Sequence, residues 1–213
     1  MTTHATGTPW SADSSPPWAT MLVQWLIRRR IAISLIGFTS LISLNIWVVR
    51  AVPCNPLALG NPLVAVALSA ITLGLLIRTW SAGTLNKSRE LTTTGPYALV
   101  RNPLYIGSFS MMFGFCLLCH DWPTLLFVAG PVTWLYWIQV RSEEQRLSGL
   151  FPAQWPGYAA RVPRFIPRCW LREPQAWQGW SSGMWLMNRE YQALLASVGG
   201  LLAIYGWYCV SQM

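Results

Sequence analysis

Charge is what this chain has least of. Only 10% of its 213 residues are Asp, Glu, Lys or Arg, while 53% are hydrophobic and the mean hydropathy is +0.36. Soluble domains carry about a quarter charged residues, so the shortage excludes an ordinary soluble domain. Histidine is almost absent: His4 and His120 are the only two, which leaves no zinc-protease pattern, and P-loop, dinucleotide-binding and repeat patterns are missing as well. The five cysteines are scattered. The one close pair, Cys116 and Cys119, lies inside an apolar run without a second pair, so it reads as small packing residues; no metal site and no structural disulfide is expected.

What the chain has instead is long apolar runs. Ile31 to Val49, Leu57 to Ile77, Trp122 to Val140 and Ala193 to Val210 are each close to the roughly 20 helical residues that cross a bilayer. A fifth, Tyr105 to Cys119, is shorter, and only "HDW" separates it from the next, so those two form a tight antiparallel hairpin. The expected fold is all-α: a polytopic membrane protein of five transmembrane helices. With the N-terminus inside, every one of the 15 basic residues except Arg50 falls on the inner side, as the positive-inside rule requires. The net charge of +8 is therefore mostly a topology signal, with anionic lipids as a second beneficiary and nucleic acid excluded as a partner. Residues 1–16 are rich in Ser, Thr and Pro and read as a disordered tail. Trp18, Met21, Leu22, Trp25 and Leu26 recur at helical spacing, an amphipathic helix lying on the inner face. No cleavage site follows the first span, so it is not a removable signal.

Polar chemistry gathers in two inner segments. In "TTGPYALVRNPLYIGS", residues 93–108, Gly95-Pro96 makes a turn, Pro103 suits a helix's first turn, and Asn102 is placed to cap it. The amide groups of that helix start suit an anionic group. In the second segment, 141–167, Glu143 and Glu144 follow directly on the fourth span, where a carboxylate needs a cationic partner. Arg141 and Arg146 are the local choices, although two adjacent carboxylates face different ways and can do different work.

The two segments together resemble the isoprenylcysteine carboxyl methyltransferase and phospholipid methyltransferase superfamily, integral membrane enzymes that use S-adenosylmethionine (SAM). Gly95, Pro96, Tyr97, Arg101, Pro103, Tyr105 and Gly107 match its first motif. Glu143, Glu144, Leu147, Phe151, Tyr158, Arg164 and Pro167 match its second. The resemblance covers about residues 78–168 and implies a methyltransferase core there. That core is preceded by a 1–30 tail with its interfacial helix and two N-terminal spans over 31–77. A Trp-rich segment and last span over 169–213 follow it. Three positions depart from the pattern: Asn102 replaces a His, Pro152 a Gly and Trp155 a Tyr.

SAM carries an ammonium, a carboxylate, a sulfonium and a flat adenine. A carboxylate of Glu143 or Glu144, with Glu144 placed first, can pair with the ammonium. Arg101, with the helix start at Asn102 and Pro103, can receive the carboxylate. Tyr97, Tyr105 or Tyr158 can stack on the base or face the sulfonium. His4 lies in the disordered tail and His120 on the outer side, so no His base is expected at the site. That favours an acceptor that is already nucleophilic, a carboxylate or thiolate, over a phospholipid amine. The catalytic set expected from this reading is Arg101, Asn102, Arg161 and Arg164, with Arg161, Arg164 or Arg168 holding an anionic headgroup. The acceptor is amphipathic or lipid-linked, a small molecule or a protein C-terminus, with its tail entering from the lipid. The expected setting is a bacterial inner membrane with the site at its cytoplasmic edge. Trp170, Trp177, Trp180 and Trp185 read first as membrane anchors and second as a cover over the site. A sterol-reductase-type enzyme using NADPH and a non-catalytic membrane relative are the alternatives.

Overall fold

The computed structural model describes residues 36–37, 40–41, 43–86, 90–167 and 174–213. The expected disordered tail and interfacial helix, Lys87, Arg89, Arg168, Cys169 and Trp170 lie outside them. Seven α-helices and no strand are present among the described residues. They are α1 (Pro62–Thr84), α2 (Pro103–Leu118), α3 (Trp122–Phe127), α4 (Thr133–Leu150), α5 (Trp155–Arg161), α6 (Ser182–Met187) and α7 (Tyr191–Ser211). Of the first expected span, the described positions are helical and close in a π-turn at Asn45–Val49.

The second span begins later than its hydropathy suggests and ends later too. The Asn61 side chain accepts from the Leu63 amide at 2.9 Å, and Pro62 occupies the first turn, which fixes the start of α1. The helix then runs past Ile77 and carries Arg78 within it. Helices α1 and α2 lie antiparallel and very close. Gly114 faces Ala67 and Ile71 at one end, and Gly107 faces Gly74 and Arg78 at the other. A Cβ on Gly107 would lie 2.7 Å from the Gly74 carbonyl, so small residues are what let the backbones approach.

The expected hairpin is present. Asp121 turns the chain: its carboxylate accepts from the Thr124 amide at 2.9 Å and its hydroxyl at 2.6 Å, starting α3. A π-turn over Val128–Val132 joins α3 to α4 with helical dihedrals at every junction. Pro131, which lacks an N–H, is its cause. The rod from Trp122 to Leu150 thus carries Glu143 and Glu144 on the same helical axis as the apolar segment before them. Tyr136 packs edge-on against both Tyr105 and Phe109, locking this rod to α2.

Two helices, Pro62–Thr84 and Tyr191–Ser211, are long and apolar enough to cross a membrane. Only 22% and 11% of their apolar windows are buried, unlike the core helices of a soluble protein. Leu73, Leu76, Leu195 and Leu202 point outward. This is the pattern of a membrane protein, whose outer surface meets hydrocarbon.

Candidate active site

The site is built where the loop before α2 meets the end of α4 and the bent segment after α5. Gly95 opens the loop with φ +60°, and a Cβ there would strike Thr84, so only glycine fits. A 3₁₀ turn over Gly95–Ala98 buries Tyr97. The Tyr97 carbonyl accepts from the Tyr158 hydroxyl at 2.9 Å, and the Arg101 amide donates to the Pro163 carbonyl at 2.8 Å. These bonds join the two motifs. Burial pushes both the Tyr97 and Tyr158 phenols above the usual tyrosine range; for Tyr97 the neighbouring Tyr158 and the Glu143 carboxylate add to it.

Glu144 sits at the centre of a cationic cluster. Arg164 clasps it through Nε at 3.0 Å and Nη2 at 2.8 Å, Arg101 Nη1 lies at 3.3 Å, and Asn102 Nδ2 donates to it at 3.3 Å. The hydrogen bond from Arg164 to Glu144 raises the Arg164 pKa. Asn102 also donates to the Arg164 carbonyl at 3.4 Å. The side chain therefore does not cap α2, contrary to the sequence reading: an amide directed at Glu144 and Arg164 cannot also turn back to its own helix. Two aromatic faces back the guanidiniums, with Arg101 5.9 Å from the Trp155 ring centre and Arg164 5.2 Å from Trp137. Trp155, the departure from Tyr, thereby supplies a stronger π face in place of a hydroxyl.

Glu143 has a different environment. Its Oε1 accepts from the Tyr105 hydroxyl at 2.9 Å and from Gln139 Nε2 at 2.7 Å. No cation lies within ion-pair distance of it among the described residues. Arg101 Nε, moreover, is buried with no hydrogen-bond partner among the described residues. The site thus holds one uncompensated carboxylate and one buried cationic donor in reserve. That combination suits a zwitterion, which brings an ammonium and a carboxylate of its own.

Of the residues expected from sequence, Tyr97, Arg101, Asn102, Pro103, Tyr105, Glu143, Glu144, Tyr158 and Arg164 all belong to this assembly. Arg161 does not: it is exposed and its Nε donates to Gly157 of its own helix at 3.2 Å. Arg141 and Arg146 are exposed and form no ion pair with either glutamate, so the local pairing is replaced by the long-range one. Sequence reasoning missed Gln139, although it stands four residues before Glu143 on one helix face. It also missed Arg78, which binds Glu190 through Nε at 2.7 Å and Nη2 at 3.0 Å and Ser108 through Nη1 at 2.6 Å. Glu190 starts a span just as Glu143 ends one, and the same need for a cation could have identified it.

The Trp-rich segment packs on the end of α1. Asn188 donates to the Ala82 and Leu85 carbonyls at 2.8 and 2.9 Å, Trp177 stacks on Trp80, and a Cβ on Gly83 would collide with the Trp180 indole. On the opposite side of the fold, Cys54 Sγ lies 3.9 and 3.6 Å from the two His120 ring nitrogens. No group of three His, Cys, Asp or Glu that could hold a metal occurs among the described residues.

Residues 57–154 match the phospholipid methyltransferase family. The chain is 34% identical over 108 residues to the nickel-cobalt-cadmium resistance protein NccN of Alcaligenes xylosoxydans xylosoxydans, covering 50% of each chain. It is 29% identical over 108 residues to the cobalt-zinc-cadmium resistance protein CzcN of Cupriavidus metallidurans, again 50% of each. It is 37% identical over 84 residues to the protein-S-isoprenylcysteine O-methyltransferase of Schizosaccharomyces pombe, covering 38% of this chain and 35% of that one. The chain thus spans about half or less of the length of these relatives. No solved structure matches. The resemblance drawn from the two motifs is borne out by both the family match and the yeast methyltransferase.

Proposed function

We propose that this chain, whose segment 57–154 is of the phospholipid methyltransferase family, is an integral membrane enzyme that moves a methyl group from SAM to an amphipathic or lipid-linked acceptor. The observation that carries the reading is the pairing of an uncompensated Glu143 with the unpartnered Arg101 Nε, in the assembly formed by the two family motifs. Glu143 receives the cofactor's ammonium and Arg101 its carboxylate. Glu144 has a structural part: held by Arg101, Arg164 and Asn102, it fixes the angle at which Arg101 is presented.

SAM, when bound, supplies a methyl group activated on a sulfonium. The chain's own contribution is alignment and exclusion of water, since methyl transfer is an in-line displacement. Tyr105, hydrogen-bonded to Glu143 and packed on Tyr136, orders the carboxylate and presents an aromatic wall to a cation. Among the described residues no imidazole stands near these groups, so the acceptor enters as a carboxylate or thiolate; a phospholipid amine is the second choice and would need a Tyr or water to take its proton. Arg164, one third exposed, is the cation an anionic acceptor meets first. The chain crosses the membrane five times, N-terminus inside, in a bacterial inner membrane, with the site at the cytoplasmic edge. The distribution of basic residues supports this arrangement. The test is calorimetric binding of SAM and of NADPH to the purified protein. SAM binding that Glu143→Gln weakens supports the reading, whereas NADPH binding alone would replace it with the reductase.

A further inference from the structure

On the side of the fold opposite the motif site, two thiols distant in sequence come together. Cys54 stands in the loop that leads into α1, between Pro53 and Pro56, whose restricted backbones stiffen it. Cys119 is the C-cap of α2. Both belong to one buried cluster with Leu117 and Leu118, at 7% and 8% exposure, and both thiols are free. The Cys119 carbonyl accepts from Asn45 Nδ2 at 3.4 Å, which ties the first expected span to the same place.

The backbone sets the spacing of the pair. The Cys54 amide donates to the Leu118 carbonyl at 2.7 Å, and that carbonyl immediately precedes Cys119. With standard bond lengths, such a bond leaves the Cα atoms of Cys54 and Cys119 roughly 5–6 Å apart, as in neighbouring strands. A disulfide spans about 4.4–6.8 Å between Cα atoms, so side-chain rotation alone can join the two. Cys119 is also within electrostatic reach of Cys54. Cys116 lies nearly one helical turn deeper in α2.

His120 supplies a proton acceptor. Burial raises the Cys54 thiol above its ordinary range, which keeps it protonated. A carbonyl can only accept, so His120 Nδ1, 3.1 Å from the Val52 carbonyl, carries the ring proton. That leaves Nε2, 3.6 Å from Cys54 Sγ, as the basic nitrogen. An imidazolium beside a thiolate favours the thiolate, which is the form that attacks a disulfide.

We propose that Cys54 and Cys119 are a disulfide-forming pair, oxidised by a low-molecular-weight disulfide. The Cys54 thiolate attacks one sulfur of that disulfide, forming a mixed disulfide and releasing one thiolate. Cys119, its proton given to solvent, then attacks the Cys54 sulfur, forming the Cys54–Cys119 bond and releasing the second thiolate. Two protein thiols are oxidised, one disulfide is reduced to two thiols, and the two protons pass to those thiols. The new bond ties the loop before α1 to the end of α2 and braces that end of the helix pair. The inference is independent of the methyl-transfer reading; only the placement of the pair in an outer compartment, where disulfides persist, rests on the five-span topology.

The experiment treats the reduced full chain in lipid nanodiscs with a series of oxidised-to-reduced glutathione ratios, traps the remaining thiols by alkylation, and maps linked peptides by mass spectrometry. A Cys54–Cys119 link, with Cys116 and Cys209 still alkylated, is the expected result. Oxidation should raise the unfolding temperature by roughly 5–15 °C in the unmodified protein and leave Cys54→Ser unchanged. His120→Gln should slow formation of the link at least tenfold at pH 7 without moving the glutathione ratio at which it is half formed, whereas a merely structural histidine would move that ratio. Two thiols that stay alkylated in excess oxidised glutathione, a lasting glutathione adduct on Cys54, or a Cys116–Cys119 link overturns the proposal. A link that leaves the unfolding temperature unchanged overturns the bracing, and an unchanged rate in His120→Gln overturns the part given to His120.

Discussion

The two adjacent glutamates should separate into a cofactor residue and a structural one. In Glu144→Gln, two guanidiniums lose the carboxylate between them. Breaking a buried ion pair by removing one partner costs about 3–5 kcal/mol. Here the Arg164 side chain is 33% exposed and can rehydrate, while the Arg101 side chain at 15% is more sheltered. Discounting the exposed half of the cluster leaves about 2–4 kcal/mol. At about 2–4 °C per kcal/mol for a chain of this size, thermal unfolding in nanodiscs should fall by roughly 4–16 °C. Glu143→Gln loses no cation, keeps a side-chain oxygen for Tyr105 and Gln139, and should shift unfolding by less than about 1 kcal/mol. It removes the partner of the cofactor's ammonium, however, a charge-assisted bond of about 1.5–3 kcal/mol, which is roughly ten- to a hundred-fold in affinity. Calorimetric SAM binding and differential scanning of both variants provide the assay. A Glu144→Gln protein of unchanged stability, together with a Glu143→Gln protein of unchanged affinity, would refute the division of labour.

Arg101→Lys keeps the charge but loses the planar fork and its Nε, so SAM affinity should drop about tenfold, measured in the same calorimeter. Gly107→Ala should destabilise by about 1–3 kcal/mol through collision with the Gly74 carbonyl and Arg78, seen as a lower unfolding temperature. The Tyr97 and Tyr158 phenols should resist ionisation, read as tyrosinate absorbance at 295 nm. Because their folded pKa values lie above the unfolded value of about 10, the folded state holds protons that the unfolded chain has released, and stability should fall as pH rises beyond about 10. Phe165→Cys should be labelled by a membrane-impermeant reagent only from the cytoplasmic side, and labelling from outside intact cells would contradict the topology.

Much of this was legible because it follows from composition and spacing. The membrane class follows from the scarcity of charge, and the α2–α3 hairpin follows from the short polar break at His120 and Asp121 between two apolar runs. The last span was placed within two residues at its start and one at its end. Gly107 was visible as a motif position, but its reason, the close approach of α1 and α2, belongs to tertiary packing. Asn102 was placed correctly and given the wrong partner: local capping chemistry competes with a carboxylate 42 residues away, and here the carboxylate wins. The sequence reading placed Glu144 first for the cofactor's ammonium; the ion pairs of Glu144 with Arg101 and Arg164 favour Glu143 instead, and adjacent residues on a helix differ only in which neighbours they face, which the sequence does not show. Arg78 and Glu190 are 112 residues apart, and no periodicity connects them.

The central claim is methyl transfer from SAM. The most direct measurement adds SAM labelled at its methyl group to membranes expressing the full chain and follows the label into a total extract of lipids and lipid-linked peptides. The account predicts label in an amphipathic product, weakened by Glu143→Gln and by Arg101→Lys at limiting SAM. An unlabelled extract from a protein that is folded and binds no SAM would contradict it.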